Sequence, residues 1–70
     1  MTIEDKIRLK AHGKIRVSIT RRKRCRGGFE IAWGEPPLTK KFPSRKVALQ
    51  FLLAIVRCQP VQQFTLKPAK

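Results

Sequence analysis

The chain has 70 residues, enough for one small domain that buries only about 60% of its unfolded surface, and too few for a deep catalytic cavity. Its 17 Lys and Arg against 4 Asp and Glu give a formal net charge of +13, which strains a compact monomer by self-repulsion and concentrates polyanions around it. Nucleic acid is the first partner this implies, since a mixed-sign surface would give plain solubility with less repulsion.

The first dozen residues admit two readings. TIED has the spacing of a capping box on a short helix, whereas IRLKAHGKIRV suits a hairpin turning at His12 and Gly13. KIRVSIT then alternates strictly, with Ile15, Val17 and Ile19 on one face and Lys14, Arg16, Ser18 and Thr20 on the other, the period of a half-buried strand. RRKRCRGG follows at residues 21–28, placed by its glycines at the turn of a hairpin. FEIAWG repeats the alternation, setting Phe29, Ile31 and Trp33 opposite Glu30 and Ala32. The parity of Trp33 favours the core over a stacking role. GEPP is a turn, and LTKKF offers a short third strand.

From Ser44 the period changes to that of a helix. Ser44 suits an N-cap, Val47, Ala48, Phe51, Leu52, Ile55 and Cys58 form one apolar stripe, and Pro60 enforces a stop. VQQFTLKPAK adds an extended segment at Phe64 and Leu66 before a disordered Lys/Pro end. The expected organisation is an uncertain segment over 1–12, one domain over 13–60 and an extended or disordered basic tail over 61–70. The fold class is α+β: a three-stranded antiparallel sheet packed against one C-terminal helix (βββα) in two layers.

Catalysis is not expected, because one histidine, four carboxylates and two isolated thiols stand in no recognisable spacing. His12 reads as a turn or surface histidine. Cys25 and Cys58 have no Cys or His at ligand spacing, which argues against a zinc site, implies no disulfide scaffold and fits a reducing cytoplasm. No metal or cofactor is expected. The start lacks an apolar leader and VALQFLLAIV is too short for a bilayer, so a soluble cytoplasmic protein without a membrane partner is expected.

Charge is the strong signal. With the helix over the apolar face, the other face shows Lys14, Arg16, Ser18, Thr20, Thr39 and Lys41, about the width a DNA groove accepts. Arg16 suits base contact through its fork, while Arg21, Arg22, Lys23, Arg24 and Arg26 suit phosphates. Glu30 would project from the same face and repel phosphate unless it pairs with Arg16 or accepts from a cytosine amino group.

Over residues 14–58, the element order, GGFEIAWG, the KKFPSRKVALQFL transition and the alanine at the helix start resemble the AP2-like DNA-binding fold of plant transcription factors and of the arm-binding domains of tyrosine integrases. That resemblance implies a three-stranded sheet in the major groove with a helix behind it, and points to Arg16, Arg22 and Lys41. The GEPPL turn departs from it, and no recombinase domain is expected to follow. A stand-alone protein of a phage or mobile element is an expectation compatible with this form.

The expected function is double-stranded DNA binding of regulatory or accessory type. The alternatives are an RNA or ribosome-associated binder and a phage-type host modulator docking an acidic protein surface. The expected state is a monomer or a weak homodimer, for which sheet edges or helix surface at Leu53 and Val56 would serve.

Overall fold

A computed structural model describes residues 2–69; Met1 of the amino-terminal segment and Lys70 of the tail lie outside the described residues. The order of elements is α1 (Ile3–Lys10), β1 (Arg16–Ile19), β2 (Phe29–Trp33), β3 (Leu38–Phe42), α2 (Arg45–Ile55) and β4 (Gln63–Pro68). The fold is α+β, a four-stranded mixed sheet with two helices.

The capping-box reading of TIED is the one that forms. Thr2 Oγ1 accepts from the Asp5 amide at 3.2 Å, and Asp5 Oδ2 accepts from the Thr2 amide at 3.3 Å. Glu4 and Asp5 in the first turn and Arg8 and Lys10 in the last both favour the helix dipole. Ile3, Ile7 and Ala11 recur every four residues and turn one stripe into the core, where Ile7 is fully buried. His12 and Gly13 leave the helix instead of closing a hairpin, with Gly13 at φ +84°.

The strand order is β1-β4-β2-β3, which corrects the expected three-stranded antiparallel sheet. The β2–β3 hairpin is present, Phe29 opposite Phe42 and Trp33 opposite Leu38. β1 and β2 do not pair. The expected tail inserts between them as β4, parallel to β1 with Val17 opposite Phe64, and antiparallel to β2 with Ile31 opposite Leu66. The physical reason is burial: Phe64 and Leu66 are among the most enclosed side chains, and a central position hides both while a flank would hide one face poorly.

α2 is capped by Ser44, whose hydroxyl accepts from the Val47 amide at 3.3 Å. Its buried residues are Ala48, Leu49, Leu52 and Val56, so the stripe is rotated from the expected one; Val47 and Cys58 face solvent. The rotation follows from α1, which packs beside α2 and gives it a second surface to cover. Lys10 Nζ donates to the Leu53 carbonyl at 3.0 Å, and Arg45 joins Glu4 in an ion pair. Val56 is fully buried and Leu53 partly so, which removes Val56 from the helix surface expected to support a dimer, while β1 and β3 are the edges of the sheet. Both helices lie on the sheet face that carries Phe29, Ile31, Phe64 and Leu66, and Trp33 packs on Phe51 at 6.0 Å.

Candidate nucleic-acid interface

Strand alternation leaves the other sheet face uncovered. β1 presents Arg16 and Ser18 there, and β3 presents Thr39 and Lys41, all exposed. The expected residues thus share a face, but they are not neighbours. Between them β4 supplies Gln63, Thr65 and Lys67, and β2 supplies Glu30 and Ala32. The register draws one row across the sheet as Ser18, Thr65, Ala32 and Thr39, and a second as Lys67, Glu30 and Lys41. Arg16 stands opposite Gln63. Sequence parity within QFTLKP places Gln63, Thr65 and Lys67 together, but only the pairing of the tail as a central strand brings them to this face.

Glu30 is placed by this register. Its partner is Lys67, Nζ to Oε1 3.5 Å, and Lys41 flanks it on the other side; Arg16 is two strands away. The carboxylate is mostly enclosed, with 17% of its side chain exposed, so much of its charge is answered within the protein.

The segment 20–28 is not a hairpin turn. It leaves β1 at one edge, passes the carboxyl end of β4 and enters β2, a lateral step of two strand spacings, or about 10 Å. Hydrogen bonds fix the arch, among them that of the Gly28 amide to the Cys25 carbonyl at 3.0 Å. The Thr20 amide donates to the Leu66 carbonyl at 3.0 Å, the Arg22 amide donates to Thr20 Oγ1 at 3.1 Å, and the Ala69 amide donates to the Gly28 carbonyl at 3.0 Å. Arg45 Nη2 donates to the Thr20 carbonyl at 3.1 Å and ties the start of the arch to the helices. Cys25 turns inward against the core. Arg21, Arg22, Lys23, Arg24 and Arg26 remain exposed around it. Gly28 is required at its place: φ is +81°, and a Cβ there would lie 2.3 Å from the Phe42 carbonyl oxygen.

Lys14 sits at the opposite end of the face, where it lines a cleft with Gly13, Arg16, Gln62 and Gln63. Thr20 serves the arch as an acceptor more than it serves the open face. Lys40 faces the helix side, with Nζ 4.8 Å from the Phe51 ring centroid, and is removed from the reading surface. His12 is exposed and accepts at Nε2 from Arg57 at 2.8 Å.

The helix side is basic as well, with Lys6, Arg8 and Lys10 exposed along α1. Two helices form that side, where the open face is a sheet. Among the described residues no group of His, Cys, Asp and Glu could hold a metal ion, and no helix is long and apolar enough to cross a membrane. No protein-family model, curated protein or solved structure matches the chain.

Proposed function

We propose that the protein binds duplex DNA in a regulatory or accessory role, laying the β1–β4 edge of its open face along the major groove and closing Arg21, Arg22, Lys23, Arg24 and Arg26 on flanking phosphates. The observation that supports this most is the juxtaposition of Arg16, Ser18, Gln63 and Thr65 on adjacent strands, next to a cationic arch fixed at one end of the same strands. Arg, Gln, Ser and Thr are side chains that match base edges, and Lys and Arg on a loop match phosphates, where charge matters more than position.

Width decides which part of the face enters. Four strands place the outer rows about 14 Å apart, more than the roughly 12 Å of a B-form major groove, whereas two strands fit. Of the two strand pairs, β1–β4 holds the base-matching residues; β2–β3 holds Glu30 and Ala32 beside Thr39 and Lys41, which then suit backbone contacts at the groove rim. The AP2-like resemblance points to Arg16, Arg22 and Lys41, and this reading gives each a contact. Duplex DNA is favoured over duplex RNA because the A-form major groove is too deep and narrow for side chains to read.

The test is an amide NMR titration against duplex DNA, duplex RNA and single strands at near-physiological salt. The expected result is shifts at residues 16–26 and 63–67 with duplex DNA. Shifts confined to Lys6, Arg8 and Lys10 would move the interface to the helix side. No binding to any nucleic acid would promote an acidic protein surface as the partner.

A further inference from the structure

At the end of the open face away from the arch, Ala32, Trp33, Gly34, Glu35, Pro37 and Val61 border a groove of about 570 Å³, whose floor continues through Gln62 and Gln63. The same two glutamines line the adjoining cleft of about 440 Å³ that holds Lys14 and Arg16. The two spaces therefore form one bipartite depression, apolar and amide-lined on one side and cationic on the other. A volume of this size is in the range of small-molecule sites.

We propose that this depression seats one unpaired nucleotide, its base between Pro37 and Val61 against the Gln62 and Gln63 amides, and its phosphate on Lys14, with Arg16 left to its base contact on β1. The proposal rests on the nucleic-acid reading above and names the part of the ligand that reading leaves open. Three features argue for it. Rigid prolines offer flat apolar surface at little entropic cost, which suits the face of a base. Two carboxamides and Glu35 offer donors and acceptors together, the combination a base edge needs and a phosphate does not. Glu35 lines the groove and is absent from the cationic cleft, so it sets an acceptor at the base end of the depression, where an exocyclic amine or ring N–H would meet it. A paired base has that edge occupied, so the nucleotide is unpaired: a strand end, a tail or an extruded base. β4 begins in this depression, which Gln63 and Thr65 line, and its last three residues, about 10 Å, lead on to the arch, so the two hold different phosphates of one bound molecule.

Trp33 is the single tryptophan of the sequence and borders the groove, so its emission reports occupancy. The experiment compares a labelled blunt DNA hairpin with the same hairpin bearing a short single-stranded tail of DNA or of RNA, reading label anisotropy and Trp33 emission together. The tailed forms are expected to bind about tenfold more tightly, the scale of one seated base, and they alone should change Trp33 emission. Gln62→Ala should remove the preference while leaving the blunt hairpin within about twofold of its original affinity, and Glu35→Gln should change which base in the tail is preferred. A preference confined to the DNA tail or the RNA tail supports the proposal and names the sugar. Equal affinity for blunt and tailed forms, with Trp33 emission unmoved, overturns it and leaves duplex binding standing. A Trp33 response to free nucleoside monophosphates without any hairpin binding supports the depression as a nucleotide site and removes the duplex reading. Silence in every arm overturns both.

Discussion

The arch over residues 20–28 and the open sheet face it borders are both cationic, yet they hold their charge in different ways. On the arch the backbone is pinned at Thr20, Arg22 and Gly28 while the Arg and Lys side chains extend from it exposed. On the face every side chain has a fixed register neighbour, and the one carboxylate sits between two lysines. The arch is built to deliver charge with little demand on position; the face is built to hold donors and acceptors at set spacings. That is the division between phosphate grip and base reading, and each side of it can be broken separately.

The largest effect is expected at the arch. Replacing Arg21, Arg22, Lys23 and Arg24 by Ala should weaken duplex DNA binding by about 10³-fold near 0.1 M salt, on specific and random sequences alike, and lower the slope of log K against log salt by about 3 to 4 units. Anisotropy titrations over a salt series give both numbers. An unchanged slope would take the arch out of the interface.

Gly28→Ala attacks the anchor of the arch and leaves its charge alone. The added Cβ meets the Phe42 carbonyl in a conformation L-residues rarely adopt, so the folded state should lose about 2 kcal/mol or more, read as a lower urea midpoint. Gly13→Ala is the control. It shares the positive φ but has nothing within 4 Å of the new Cβ, and its cost should be the smaller of the two. Equal costs would mean that backbone conformation, and not the approach of β3, sets the need for glycine at 28.

On the face, Arg16→Ala should reduce discrimination between a preferred and a random duplex by about 1 to 2 kcal/mol, with little change in salt slope. Equal loss on both duplexes would reject base readout by this residue and assign it to phosphate.

The two regions were also unequally legible. Alternation in KIRVSIT, FEIAWG and LTKKF marks which residues share a face, and that parity is what the structure realises at Arg16, Ser18, Thr39 and Lys41. Parity does not say which strands are neighbours. β1 and β2 are consecutive and similar, and local pattern pairs them; β4 displaces that pairing through contacts of Phe64 and Leu66 that lie far away in sequence. One local sign was readable. The eight residues of RRKRCRGG between the two alternating stretches exceed the two to five of an ordinary hairpin loop, and the surplus is the length needed to step over an intervening strand. The apolar residues of α2 likewise show a helix but not how many surfaces it covers, which depends on whether α1 forms.

The smallest expected effect concerns the carboxylate on the cationic face. Glu30 points from the open face, and its partner is Lys67 from the strand that parity alone did not place. Lys67 is half exposed, so the pair is worth only about 0.2 to 1 kcal/mol to stability, and Glu30→Gln should lower the unfolding free energy by no more than that. Freed from the carboxylate, Lys67 and Lys41 become available to phosphate, and binding to every duplex should tighten by about threefold, the scale of one screened surface charge. If the variant instead loses affinity for its preferred duplex alone, Glu30 accepts from a base, as a cytosine amino group would allow, and the reading edge extends from β1–β4 across to β2.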